Sequence, residues 1–289
     1  MDLNPKQNNL IPENDVLLKA LVELANELGK YDVPLIVGGG LSLYIRTKYL
    51  RKKRSPRYKS QIIQRSTKDI DVFLTSNLII DPEKISILRD TIGALGYTAR
   101  TKYFQFQKEI EPLGEILIDI LSPPQEHEVN STDIRIRPAN VDNFHAHRNN
   151  EAKGISIGLI PIKSLSEELP YSNLFIVSSY NYIILKLHAF KDRLNDTRVD
   201  FGRYHAYDIF ATVIDMDEND WGNAKNHFKN EKEQEYINSA IEIVREYFSK
   251  TSDLGIIRLK ENKLYQRDKQ EFDSYIPDFL DDLKEMFNL

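Results

Sequence analysis

Two carboxylates interrupt an otherwise apolar run at Asp69-Ile70-Asp71-Val72-Phe73-Leu74. Its period of two predicts a strand, and residues i and i+2 of a strand project from one face. Asp69 and Asp71 then stand side by side, while Ile70 and Val72 belong to an apolar layer behind them. Such a strand must sit in a sheet with one buried face and one face open to water or to a cation. Like charges this close raise each other's pKa, and a cation between them removes the penalty. Carboxylate oxygens of this kind suit Mg²⁺ or Mn²⁺. An acidic strand face turned to solvent is the other reading of so short a motif.

Two further segments bear on that choice. Asp119 stands inside Ile116-Leu117-Ile118-Asp119-Ile120-Leu121, where a solitary charge is costly unless it is paired or binds metal. It supplies a third carboxylate. Upstream, the apolar run Val33 to Val37 leads into Gly38-Gly39-Gly40 and then into LSLYIRTKYL, a strand, a glycine turn and a helix in succession. Glycines let a backbone approach phosphate closely, and a helix start offers free N–H groups to an anion. Ser42 reads either as a phosphate-binding hydroxyl or as a helix-start residue.

The rest of the chain divides by texture. The first half carries a helical pattern at Val16 to Lys30 and another at Ser86 to Leu95, with strand patterns at Tyr97 to Gln107, Gly114 to Leu121, Asp133 to Arg137 and Gly154 to Ile160. A last strand-like stretch is Leu174 to Val177. Helical patterns follow at Ser178 to Arg193, Gly202 to Ile214, Lys232 to Ser249 and Gln270 to Phe287. The expected architecture is an α/β (α+β) fold, with a mixed-sheet domain over 1–168 and a helical domain over 169–289 that completes a cleft. A length of 289 residues and 41% hydrophobic content are enough for two such units.

Composition removes several function classes. Zero cysteines exclude a disulfide framework, a thiolate zinc site and a cysteine nucleophile, and they fit a reducing cytoplasm. A formal net charge of -5 argues against a protein that coats nucleic acid with its whole surface. The amino terminus lacks the apolar run of a signal peptide, and no uncharged stretch reaches the length of a membrane span, so a soluble cytoplasmic protein is expected. Neither a Walker-type glycine loop nor a nucleophile-elbow motif is present.

The order of strand, glycine turn, helix with Ser42, strand with Asp69 and Asp71, and strand with Asp119 resembles the nucleotidyltransferase fold of the DNA polymerase beta superfamily. More narrowly, Gly38-Gly39, then Arg65-Ser66-Thr67-Lys68-Asp69-Ile70-Asp71-Val72-Phe73, then Lys186-Leu187-His188-Ala189-Phe190-Lys191-Asp192-Arg193 and Tyr207-Asp208-Ile209-Phe210 resemble the AbiEii/AbiGii-type nucleotidyltransferases. That family supplies toxins of abortive-infection and toxin–antitoxin pairs. The resemblance, over about Leu35 to Phe210, implies a phosphorus-group transferase that moves NMP from an NTP to a hydroxyl, with RNA such as a tRNA 3′ end as the acceptor and an antitoxin as partner. It implies that Asp69, Asp71 and Asp119 hold divalent metal, that Gly39 and Ser42, beside Gly38, cradle phosphates, and that Lys186 contacts phosphates or nucleotide. Asp192, Arg193 and Asp208 match later polar motifs. Lys186 stands among Tyr182, Ile183, Leu185 and Leu187, where a buried ammonium needs a partner; Asp208 or a bound phosphate would serve. A structural Lys186–Asp208 ion pair joining two helices is the competing reading.

Between Arg46 and Lys68 lie ten Lys or Arg residues and no acid. This basic insert reads as mobile and, lying beside the acids, as an RNA-tracking element, with Tyr58 able to stack on an unpaired base; a solvated loop is its other reading. Transfer to a protein side chain and a non-catalytic nucleotide- or RNA-binding module are the rival functions. His145 and His147 can share a strand face and bind metal, although no third ligand is assignable. His188 and His205 are expected to be hydrogen-bonded helix residues, and Trp221 a core residue.

Overall fold

The computed structural model describes residues 13–50, 57–58, 65–111, 114–125, 133–167, 169–196 and 200–289. The strands are β1 Leu35–Val37, β2 Asp69–Phe73, β3 Thr98–Ala99, β4 Gln105–Ile110, β5 Gly114–Ser122, β6 Arg135–Ile136, β7 Ala146–Arg148, β8 Ile160–Pro161 and β9 Leu174–Ile176. They form one mixed sheet in the order β3-β4-β5-β2-β1-β9-β8, with β7 added along β5 and β6 along β7. β2 runs parallel to β5 and β1 parallel to β9, whereas β1 and β2 are antiparallel. The chain is an α/β protein, as its patterning predicts.

Strand alternation divides the sheet's two faces between two cores. Ile70 and Val72 of β2 join Ile116, Ile118 and Ile120 of β5 in a core that also holds Leu17, Leu21 and Leu24 from α1 (Glu13–Gly29). On the other face Ile36 and Phe73 enter a second core made largely by the helices of the C-terminal half. Ile36 lies opposite both Phe73 and Phe175 in the sheet. The acids of β2 and β5 therefore face the helical half, not the first core.

Helix α2 (Gly39–Ile45) follows β1 and continues as a π-helical turn over Arg46–Leu50. α3 (Ser76–Ile79) and α4 (Pro82–Ala94) follow β2; Asp81 caps α4 by accepting from the Lys84 N–H, with Pro82 at the first position. β9 completes the sheet after residue 168, and the helical half starts at α5 (Ser179–Arg193), whose cap Ser178 accepts from the Asn181 N–H. There follow α6 (Arg203–Asp215), α7 (Glu218–Glu231), α8 (Glu235–Tyr247), α9 (Leu254–Lys260), α10 (Lys263–Arg267) and α11 (Lys269–Met286). No described helix is long and apolar enough to cross a membrane.

Three expectations change. Tyr97 to Gln107 is not one strand: β3 and β4 pair antiparallel, and Tyr103 at the connecting turn takes a positive φ of 58°. Gly154 to Ile160 is not a strand either, because Asn150–Gly154 is a 3-10 turn and only β8 at its end joins the sheet. Helix α7 goes unannounced, since its sequence ENDWGNAKNHFKNE has few apolar residues, yet Trp221, Ala224 and His227 form its buried stripe.

Candidate active site

The parallel pairing of β2 with β5 places Asp71 opposite Asp119, and alternation puts Asp69 on the same face. A ligand oxygen from each of the three carboxylates lies within 4.8 Å of the others. Among the described residues this is the one group of three or more acidic, histidine or cysteine side chains so placed. Burial and then the neighbouring Asp69 push the Asp71 carboxyl up to about 7, against the pull of Lys186. Burial also raises Asp119, whose Oδ1 is buried with no hydrogen-bond partner. Burial that disfavours the charged forms of Asp71 and Asp119, with an orphaned oxygen between the strands, fits a divalent cation as the missing counter-charge. His145 and His147 do not extend it. His145 Nδ1 meets the Lys102 carbonyl at 2.9 Å, and the His147 ring stacks on Phe104 at 4.9 Å.

The glycine turn is shaped by these acids. Gly39 has φ +58°, and a Cβ on it would lie 1.6 Å from Asp71 Oδ2. The Gly38 N–H donates to the Asp71 carbonyl at 3.0 Å, and a Cβ at Gly38 would meet the Phe73 ring at 2.4 Å. Backbone thus lies directly on the carboxylate face. The Ser42 hydroxyl is buried and donates to the Gly39 carbonyl at 3.1 Å, so it braces the turn.

A second charged group stands near the acids. Asp208 on α6 is fully buried and is bound by three groups from two segments, Arg65 before β2 and Tyr182 and Lys186 on α5. Arg65 reaches it through Nε at 3.0 Å and Nη2 at 3.2 Å, Lys186 Nζ of α5 at 2.9 Å, and the Tyr182 hydroxyl at 3.2 Å. Burial alone would raise Asp208; Arg65 and Lys186 overcome it and hold the carboxyl well below the usual range. Two cations share one carboxylate, which leaves a net positive charge facing Asp69 and Asp71. The Lys186–Asp208 ion pair, the competing structural reading of this lysine, is present.

Arg65 is a site residue that sequence reasoning missed as such. It joins the helical half to the segment leading into β2, and that segment is fixed by Asn14 of α1. Asn14 Nδ2 donates to the Arg65 carbonyl at 2.9 Å and its Oδ1 accepts from the Thr67 N–H at 3.1 Å. The Thr67 hydroxyl in turn donates to Asp69 Oδ1. The signal was Arg65's position four residues before Asp69 opposite a lone buried acid, but nothing in the spacing names its partner.

Arg193 lies two turns beyond Lys186 on the same face of α5, and it and Asp192 are exposed. His188 is satisfied, with Nε2 3.2 Å from the Tyr236 carbonyl. His205 corrects its expectation. Its Nδ1 is buried without a partner, and burial, then the nearby Lys186, lowers it to about 3.

The basic insert is also less free than its sequence suggests. Arg46, Lys48, Arg57 and Arg65 pair with Asp220, Asp15, Asp282 and Asp208, respectively. Tyr58 is not an open platform: its hydroxyl donates to Asp282 at 2.6 Å and its ring packs edge-on against Tyr275. Arg51 to Arg54 and Lys59 lie outside the described residues.

The chain matches no protein-family model and no curated protein. Among solved structures it is similar to the solution structure of the antibiotic-resistance factor ANT(2'')-Ia, with 14% identity over 79% of this chain and 96% of that one and a TM-score of 0.41. That likeness is too low to bear on the site or its chemistry.

Proposed function

We propose that the protein is a metal-dependent nucleotidyltransferase, transferring NMP from an NTP to a hydroxyl acceptor with loss of pyrophosphate. The observation that carries the reading is the Asp69, Asp71 and Asp119 cluster on adjacent strands, with the glycine turn pressed onto it and Lys186 opposite. Asp69, Asp71 and Asp119 would hold Mg²⁺ or Mn²⁺. Bound there, the metal supplies charge neutralisation at the phosphates and a lowered pKa for an acceptor hydroxyl.

This chain's own groups do the rest. The turn at Gly38 and Gly39, braced by Ser42, lets phosphate oxygens approach backbone without a side chain intervening. Lys186, positioned by Asp208, meets the phosphate charge from the helical side. Asp208 works through Lys186 and Arg65 and is a positioning residue. Asp119 would hold the metal beside the acceptor hydroxyl, where that hydroxyl gives up its proton. Aligning the two substrates in the cleft supplies a large part of the rate.

For the acceptor, the reading is RNA, such as a tRNA 3′ end, in a toxin held by an antitoxin. This rests on the resemblance to AbiEii/AbiGii-type proteins and on the basic residues Arg51 to Arg54. Incubating the protein with each α-labelled NTP, Mg²⁺, total RNA and a cell lysate tests both parts. Label in RNA supports the reading, label in polypeptide that survives ribonuclease replaces the acceptor, and no labelled macromolecule overturns it.

A further inference from the structure

Tyr204 is an exposed aromatic that neither hydrophobic core uses, although it lies against Arg65 of the charged group around Asp208. It lies in the first turn of α6 and is 47% exposed. One side of its ring is occupied: the Arg65 guanidinium carbon lies 5.8 Å from the ring centroid. Arg65 cannot swing away, because two of its nitrogens are bound to the buried Asp208. The Arg65 charge also reaches Asp69 and Asp71. Tyr204 is therefore one guanidinium removed from the acid cluster, with its remaining surface open to solvent.

The backbone that presents the ring is held in an uncommon conformation. Asp200, Phe201 and Gly202 have φ of 94°, 58° and 78°, three successive left-handed residues of which only one is glycine. Asp200 Oδ2 accepts from the Tyr204 N–H at 2.8 Å. The Phe201 ring is clasped by Arg203 and Arg258, each guanidinium carbon 5.2 Å from its centroid. Left-handed non-glycine residues cost free energy and persist where the surroundings over-determine them. Here the result is a rigid, half-exposed ring backed by a fixed cation.

We infer that Tyr204 is the platform on which the nucleobase of the NTP stacks, an inference that rests on the nucleotidyl-transfer reading of the cleft. A planar π-face with one side already closed by Arg65 accepts another planar ring on its open side, and such stacking tolerates any base. The triphosphate then extends toward Lys186, the glycine turn and the acids. The phenol hydroxyl has no part in this, so the ring alone matters.

The test is equilibrium binding to the full chain in Mg²⁺, measured by calorimetry for each NTP and for inorganic triphosphate. Tyr204→Ala is expected to weaken NTP binding by roughly ten- to a hundred-fold and to leave inorganic triphosphate binding unchanged, while Tyr204→Phe stays within about twofold of the wild type. NTP affinity in Tyr204→Ala equal to the wild type, or equal losses for NTP and triphosphate, overturns the inference while leaving the transfer reading intact. A wild-type protein that binds neither NTP nor triphosphate overturns both. Because Tyr204 packs in neither core, thermal melting of Tyr204→Ala should match that of the wild type.

Discussion

Asp71 on β2 and Asp119 on β5 are register partners on adjacent parallel strands, so the sheet itself fixes the distance between them. Asp69 precedes Asp71 by one pleat on the same face, and a ligand oxygen of each lies within 4.8 Å of the others. Neither strand can slip without turning its acids into the apolar core occupied by Ile70, Val72, Ile118 and Ile120. The hydrophobic face therefore specifies the geometry of the charged one.

The first consequence concerns pH. With the folded carboxyl of Asp71 raised to about 7 and the unfolded one near its ordinary value, the proton held by the fold stabilises it fully only below the unfolded pKa. That contribution is lost as pH rises through about 7. Asp71→Asn should therefore raise the metal-free melting temperature at pH 8, by on the order of 5 °C, and change it little at pH 4. Melting curves at both pH values check this; an Asn variant that is less stable at pH 8 contradicts it.

Gly39 gives a steric prediction. Alanine there needs a left-handed backbone and a Cβ 1.6 Å from Asp71 Oδ2. Gly39→Ala should cost about 2–4 kcal/mol in urea unfolding and abolish transfer. Gly93, inside α4 with nothing within 4 Å of an added Cβ, is the control. Gly93→Ala should stabilise by about 0.5–1 kcal/mol with activity unchanged.

The charges around Asp208 are unequal in what their removal does. Asp208→Asn leaves Arg65 and Lys186 facing each other without their shared anion, and should cost about 3–5 kcal/mol. Because Asp208 titrates well below its unfolded value, its contribution is present above the unfolded pKa and fades as pH falls. The gap between wild type and Asp208→Asn should accordingly shrink in acid. Lys186→Met keeps the Arg65–Asp208 pair and should lose less stability, while NTP affinity falls by about 1.5–3 kcal/mol. Unchanged NTP affinity in Lys186→Met would make the lysine purely structural.

Much of this was legible in the residues. Period-two alternation around Asp69, Asp71 and Asp119 gave strands with acids on one face, and a lone lysine on an apolar helix implied a buried partner. Long-range choices were not legible. Arg65 and Asp208 are 143 positions apart, and either could have met several opposite charges. Part of the positive run reads as freer than it is for the same reason: charge sign is local, but Arg46, Lys48, Arg57 and Arg65 find their aspartates only in the tertiary structure. α7 escaped because its stripe of Trp221, Ala224 and His227 is too sparsely apolar to show a period.

The basic insert yields a prediction that separates its two halves. Arg57 is bound to Asp282 and lies over Trp221, so Arg57→Ala should lower thermal stability and leave any RNA affinity nearly unchanged. Neutralising Arg51, Lys52, Lys53 and Arg54 together should weaken RNA binding at low salt and flatten its salt dependence, since each lost phosphate contact removes released counterions. An unchanged salt slope in the four-residue variant contradicts the RNA acceptor.

The fate of the phosphates decides the central claim. NTP labelled separately at the α- and γ-positions is incubated with Mg²⁺, the protein and total RNA with cell lysate, and the label on macromolecules and on released pyrophosphate is measured. Nucleotidyl transfer predicts α-label on the acceptor and γ-label in pyrophosphate, both abolished by chelation and by Asp71→Asn or Asp119→Asn. Label from the γ-position on the acceptor, or α-label transfer that survives loss of Asp71 and Asp119, contradicts the account.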